Sequence, residues 1–314
     1  MKRSSIAMGL ILTVGIAAGG ETNCDEAAGQ YLRIAHERDS AGEHEQAAVL
    51  ARRALDVCRS YEGYELLAES LAHSLGHDDQ TAAVDAFVSA HELASTDQQR
   101  ARALFRYAYL LNQNNDVQNA YLLIHQAEAL DPASEEITRF AHRVDHRYEH
   151  PTVSDLRGGL YDSLYKPLRM AAAPVPEVAG GGRETGSSAN SAEPKIAAGA
   201  APSISIPIHF ETGTTIVDAQ TRANIAVLAA ALADPAHPDQ HYVFVGHADV
   251  RGNEASNVVL TQRRAEAMYQ LVVQAQPSLQ GRVEVTGRGS SEPIDPGHDE
   301  RAYRANRRLQ VLVK

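Results

Sequence analysis

Residues Gly246–Ala265 read "GHADVRGNEASNVVLTQRRA". A strand-like run at 241–245, "HYVFV", feeds into this stretch, and a helix over Glu254 to Gln274 leaves it. The turn between them carries an aspartate, arginines and an asparagine, but no nucleophile–base pair. On the helix, Asn257, Leu260, Arg264 and Leu271 share one face. Leu260 and Leu271 mark it as the face turned to a sheet, which makes Arg264 the oddity on that stripe. A guanidinium partly removed from water requires a charge or hydrogen-bond partner. Asp249, at the strand's exit, is the nearby carboxylate. Two readings follow. Asp249 and Arg264 form an internal ion pair that holds the turn, or they form a pocket for a ligand bearing both an ammonium and a carboxylate.

Working outward, the texture from Ile204 to Lys314 is mixed α and β. "ISIPIHF" alternates and places Ile204, Ile206, Ile208 and Phe210 on one face. Pro207 suggests an edge strand. Asp218 to Ala233 reads as a helix with Ile225, Leu228 and Leu232 on a stripe, and "RVEVTG" and "RRLQVLV" read as two further strands. The order is β-α-β-α-β-loop-β, an α+β domain with helices packed on a mixed sheet.

Four blocks in this region, "IHFETGTTIVDAQ", "GHADVRGNEASNVVLTQRRA", "GRGSSEPI" and "NRRLQVLV", resemble the OmpA-like C-terminal domain in order and spacing. That family includes peptidoglycan-associated lipoproteins and flagellar stator anchors. It binds the peptide stem of cell-wall peptidoglycan non-covalently, chiefly at diaminopimelate, whose side chain ends in an amine and a carboxylate. The resemblance implies that Asp249 accepts from the ligand's ammonium and that Arg264 pairs with its carboxylate. It also implies that Asn257 hydrogen-bonds at the pocket wall beside Leu260, that Arg307 supplies a second positive donor, and that Thr212 and Gly213 line the pocket. Gly213 stands where many relatives carry a polar side chain, and Ala248 where threonine is common. Each departure removes a hydrogen bond.

The front of the chain is different. Residues 21–150 read as six or seven helices joined by short turns, rich in Ala, Leu, Glu, Gln and Arg. Ala47, Ala51 and Ala54 match Ala83, Phe87 and Ala90, then Ala120, Ile124 and Ala127, at separations of 36 and 37 residues. This period resembles the second helix of a tetratricopeptide repeat, although Tyr31/Ala35 and Leu104/Ala108 stand where that family carries Trp and Gly. A plain antiparallel bundle is the alternative. Stacked repeats form a groove suited to a protein partner. From Cys24 to His150 there are 22 acidic and 11 basic residues, against 12 and 11 from Ile204 to Lys314, so this groove is expected to be acidic.

Residues 151–203 are rich in Ala, Pro, Gly and Ser and read as a flexible linker. Within it "LYDSLYKPL" at 160–168 is apolar enough for a short docking segment. Residues 1–20 read as a cleaved export signal, with basic "MKR" and a 13-residue apolar run too short to span a bilayer. An uncleaved anchor and lipidation at Cys24 are the alternatives. Export permits a disulfide. Cys24 and Cys58 lie equidistant from a turn at Ser40–Gly42, so a bridge between them would close the open end of a helical hairpin. The alternative is two free thiols.

The net charge of −11 argues against nucleic acid as a partner. His142, His146 and His150 recur at ligand spacing, but a solvated helix end explains them; His73 and His77 straddle a glycine turn and make a weaker case. No metal, cofactor or catalytic set is expected, and no phosphate-loop or dinucleotide fingerprint is present. The expectation is a non-enzymatic protein of the periplasm, associated with the outer membrane, that binds peptidoglycan and recruits an envelope protein. Self-association into a homo-oligomer would raise the effective concentration at the wall. The alternatives are a regulator of a wall-remodelling enzyme and an anchoring subunit of a stator or secretion complex.

Overall fold

The computed structural model describes residues 24–165 (side chains from 28 onward), 203–210, 215–295 and 297–314. The expected leader, most of the expected linker, the side chain of Cys24, and Thr212 and Gly213 lie outside the described residues.

Seven helices follow one another: α1 (Cys24–Ser40), α2 (His44–Val57), α3 (Tyr61–Ala72), α4 (His77–Leu93), α5 (Asp97–Gln113), α6 (Val117–Leu130) and α7 (Glu135–Glu149). The turns carry the chemistry that ends and starts helices. Gly42 has φ +77°, a left-handed conformation that glycine adopts without strain. Ser60, Thr96, Asp116 and Ser134 each accept a hydrogen bond from the backbone N–H three residues on. Such short turns make neighbouring helices antiparallel, and α1 packs on α2, α3 on α4, and α5 on α6. All nine residues of the repeating set, from Ala47 to Ala127, are buried. The partner helices show the same period, because Leu67 and Leu71 lie buried between Tyr31/Ala35 and Leu104/Ala108. Small residues at these positions let the helix axes approach closely.

The C-terminal half contains β1 (Ser203–Pro207), α9 (Ala219–Leu232), β2 (Tyr242–Gly246), α10 (Glu254–Ala275), β3 (Val283–Gly287), a further helix α11 (Glu300–Asn306) and β4 (Arg308–Val313). The sheet order is β1-β4-β2-β3. β4 runs antiparallel to both β1 and β2, while β2 and β3 are parallel and joined by α10. Pro207 does lie on an edge strand. The core gathers Ile204, Ile206 and Ile208 with Phe244, Leu309, Val311, Leu228 and Met268. Two points differ from the sequence reading. The segment before β4 contains α11, capped by Asp299 accepting from Ala302 N–H. The buried stripe of α10 is Asn257, Thr261, Ala265, Met268 and Val272, one position round from the expected one; Leu260, Arg264 and Leu271 are half-buried.

The start of the expected linker is also ordered. Thr152 and Asp155 form a reciprocal capping box that opens α8 (Val153–Tyr161). This helix lies between the two halves. A Cβ on Gly158 would stand 2.8 Å from the backbone of Asn114 and Asn115 in the α5–α6 turn, and one on Gly159 would stand 2.7 Å from Ile204 of β1. Leu156 and Leu160 enter the core of the C-terminal half. Tyr242 donates to the carbonyl of Leu232 at 3.1 Å, so Tyr161 donates to the Tyr242 hydroxyl at 2.5 Å. Arg157 pairs with Asp234 at 2.9 Å, and Asn224 donates to the carbonyl of Glu149 at 2.9 Å.

Candidate functional site

β2 ends at a close approach between sheet and helix. A Cβ on Gly246 would lie 2.3 Å from the carbonyl oxygen of Thr261, and one on Gly287 would lie 2.3 Å from the backbone nitrogen of Gln262. The two glycines therefore let α10 press on the strand ends. The chain leaves β2 through His247, whose N–H donates to Arg308 O, and Ala248, whose N–H donates to Gly289 O at 2.7 Å. Asp249 is thus delivered, buried, to the mouth of the sheet.

Its carboxylate is held by two arginines. Arg251 donates from Nε to Oδ1 at 3.0 Å and from Nη2 to Oδ2 at 2.7 Å, and its backbone N–H reaches Oδ1 at 3.1 Å. Arg307 donates from Nη1 to Oδ2 at 2.7 Å and from Nη2 to Glu300 at 3.0 Å. Burial alone would raise the pKa of Asp249. The hydrogen bonds from Arg251 and Arg307 outweigh it and hold the carboxyl at about 2. Asn257 donates to the carbonyl of Arg251 at 3.0 Å and ties the turn to α10.

Arg264 stands with its guanidinium 4.4 Å from the ring centre of Phe210, a cation–π arrangement. Burial and then the charge of Arg307 lower its pKa, while Asp249 acts in the opposite sense. Arg264 and Arg307 both line a small cleft whose other walls include Ile208, Phe210, Thr261 and Arg308. A larger groove lies elsewhere, on the helical half between α1 and the start of α3; none of these charged residues lines it.

Of the predicted site residues, Arg264 and Arg307 line this cleft, Asp249 adjoins it through Arg307, and Asn257 holds the turn behind Asp249. Leu260 is half-buried on α10 and does not line the cleft. The expected carboxylate partner of Arg264 is engaged instead by Arg251 and Arg307. Arg251 was missed, although its place two residues after Asp249 is where an aspartate captures a following N–H. Arg308 was missed too. It is buried and donates from Nη2 to Glu292 O at 3.0 Å. Its Nε and Nη1 have no hydrogen-bond partner among the described residues, and burial lowers its pKa to about 10.

The match to a family model decides the ancestry of this half. Residues 209–307 are an OmpA-family domain. The OmpA-family domain is 34% identical over 78 residues to a peptidoglycan-associated lipoprotein of Legionella pneumophila, covering 25% of this chain and 44% of that protein. It is 36% identical over 76 residues to a peptidoglycan-associated lipoprotein of Pseudomonas aeruginosa, covering 23% and 42%. The chain thus spans less than half the length of these two curated relatives. Among solved structures, the peptidoglycan-associated lipoprotein from Burkholderia pseudomallei is similar at 28% identity and a TM-score of 0.31, covering 35% of this chain and 89% of that one. The cell wall anchor of the T6SS from Pseudomonas aeruginosa is similar at 23% identity and a TM-score of 0.31, covering 35% and 79%.

Proposed function

We propose that the chain is a non-enzymatic cell-envelope protein that grips peptidoglycan through its OmpA-family domain and recruits a protein partner through its helical repeats. The observation that carries this reading is Asp249, held ionised between Arg251 and Arg307 beside Arg264. Such a group suits the amine and carboxylate at the end of a diaminopimelate side chain. Arg251 is more than half exposed, whereas Arg307 is about a quarter exposed. An incoming ammonium therefore replaces Arg251 on Asp249, one cation for another, while Arg307 stays. Arg264 and Arg307 then face the ligand's carboxylate, and Asn257 keeps the turn in place. Thr212 and Gly213 complete the wall in this reading. The relatives, peptidoglycan-associated lipoproteins, support it.

The same reading places the protein in the periplasm, at the outer membrane, after cleavage of the 1–20 segment. No described helix is long and apolar enough to cross a membrane. It includes a Cys24–Cys58 bridge at the open end of the first hairpin. The test is co-sedimentation of the full chain with isolated peptidoglycan. Wild type is expected to pellet, and Asp249→Ala and Arg264→Ala, folded by circular dichroism, are expected to stay in solution. Folded variants that pellet as well as wild type would sink the reading.

A further inference from the structure

A cluster on the helical half stands apart from the site above. Asp39 lies in the last turn of α1, His44 opens α2, and His73 follows the last residue of α3. The Gly42 turn folds α2 back on α1 and brings the first two together; the end of α3 brings the third. One donor atom of each residue lies within 4.8 Å of those of the other two. The two imidazole rings stack with centroids 3.8 Å apart and planes 5° from parallel.

The hydrogen bonds fix which nitrogen carries the proton. His73 Nδ1 lies 2.8 Å from the backbone oxygen of Glu69. A carbonyl oxygen only accepts, so Nδ1 donates, and in the neutral ring Nε2 holds the lone pair. His44 Nδ1 lies 2.8 Å from Asp39 Oδ1; one proton bridges them, and an ion would take its place between the two while Nε2 keeps a proton. Asp39 Oδ1 also accepts from Ser70 Oγ at 2.9 Å. Among the described residues, neither His73 Nε2 nor Asp39 Oδ2 has a hydrogen-bond partner. An imidazole tied through Nδ1–H to a carbonyl, with Nε2 bare, is how histidine ligands of metal ions are oriented, and His73 is held so.

We propose that Asp39, His44 and His73 form a site for one transition-metal dication of the kind that prefers imidazole, with zinc as its representative. Two imidazole nitrogens and a carboxylate oxygen supply three ligands, and water completes a tetrahedral shell. Around such an ion, with bonds of about 2.0 Å, donors stand roughly 3.3 Å apart. The exposed His73, at the end of its helix, has the rotational freedom to close that distance. The ion then ties the α1–α2 turn to the end of α3 and fastens the first hairpin to the second. The histidines of α7 provide a control. His146 and His150 stack at 4.7 Å, and His150 donates from Nδ1 to His146 O, but among the described residues no carboxylate joins them within ligand reach.

The experiment is a calorimetric titration of the chelator-stripped full chain with zinc chloride, with thermal melts run beside it. Wild type is expected to take up one zinc per chain and to melt higher with it. His44→Gln and His73→Gln are each expected to weaken binding at least tenfold. Asp39→Asn, which removes the third ligand, is likewise expected to weaken it at least tenfold, and the triple variant His142→Gln, His146→Gln, His150→Gln to leave it unchanged. His73 is exposed, so its substitution removes the donor without touching the core. The proposal is overturned if no saturable one-to-one uptake is found, if His73→Gln binds as wild type does, or if binding is lost only in the triple variant.

Discussion

The two halves of the chain bury different kinds of atoms. In the helical half the packed helix faces are rich in alanines, such as Ala51, Ala83, Ala120 and Ala127, all fully buried. Its buried polar groups are few, and one of them, Asp116, serves as a helix cap. In the OmpA-family domain the closest approaches are made by glycines, Gly246 and Gly287. Around them are buried His247, Asp249, Asn257, Thr261, Asn306 and Arg308. Burying polar groups costs free energy unless each finds a partner. An array that only has to stack can avoid that cost, whereas a site for a charged ligand cannot. The concentration of buried polarity at one end of the sheet therefore marks where binding is expected.

The largest effect that would break this contrast lies at Asp249. If the buried cluster binds the wall, Arg307→Ala removes the inner cation and should weaken pelleting by about 2–4 kcal/mol, the range for truncating one member of a buried charge pair. Arg251→Ala removes the exposed cation and should cost about 1 kcal/mol or less. Equal losses from the two substitutions would contradict the exchange of Arg251 for a ligand ammonium.

A second, somewhat smaller effect concerns the close approaches themselves. Gly246→Ala sets a methyl group against the backbone of Thr261, which cannot turn aside, so a cost of about 3 kcal/mol is expected. The reverse change in the helical half, Ala83→Gly, leaves the approach intact and loses helix propensity, about 1 kcal/mol. Urea denaturation of both variants measures the difference. A Gly246→Ala protein as stable as wild type would remove the steric argument.

These residues also show what the sequence could and could not reveal. The helices of the front half were legible because alanines and leucines recur at three and four between turn residues, and the strands because isoleucines and valines alternate. Asp249, Asn257 and Arg264 were legible from the strand exit and one helix face, and Arg307 only through family resemblance. The face of α10 was misjudged because hydropathy points to Leu260 and Leu271, whereas steric closeness selects Thr261 and Ala265, small residues that fit against Gly246 and Gly287. α8 was hidden by Gly158 and Gly159, which lower helix propensity. Here the glycines are present because a backbone turn on one side and Ile204 on the other leave no room for a side chain. The Thr152–Asp155 capping box was the readable sign of that helix.

A third prediction uses pH. His247 is buried, donates from Nε2 to Gln310 Oε1 at 3.0 Å and leaves Nδ1 without a partner among the described residues. Burial, then the charge of Arg308, hold its pKa down at about 3. Below the usual histidine value of about 6.5 the unfolded chain takes up a proton that the folded chain refuses, so stability falls as pH drops from about 6.5 towards 3. The slope is at most about 1.4 kcal/mol per pH unit. Asp249 acts lower down. Its folded pKa is depressed to about 2, so its contribution is complete above about 4 and is lost as pH falls through 2. His247→Gln should flatten the stability profile between pH 6.5 and 4 and leave the steeper acid limb in place. An unchanged profile would show that the imidazole titrates freely in the folded protein.

The smallest effect tests whether the contrast between the halves survives their contact. Tyr161 of α8 donates to Tyr242, which donates to the carbonyl of Leu232. The first donor comes from the segment joining the halves; the second and the acceptor come from the OmpA-family domain. Tyr161→Phe deletes one hydrogen bond and keeps the ring that stacks on His237 at 4.0 Å, so about 1 kcal/mol is expected. The informative quantity is where that loss is felt. If α8, with Leu156 and Leu160 in one core and Gly158 against the other half, makes the two halves fold as a unit, calorimetry gives one transition and the substitution lowers it. If the halves melt separately, only the transition of the OmpA-family domain moves. A single shifted transition would mean that a wall-bound chain presents its helical array at a fixed angle to the wall, because α8 would carry the orientation of one half to the other.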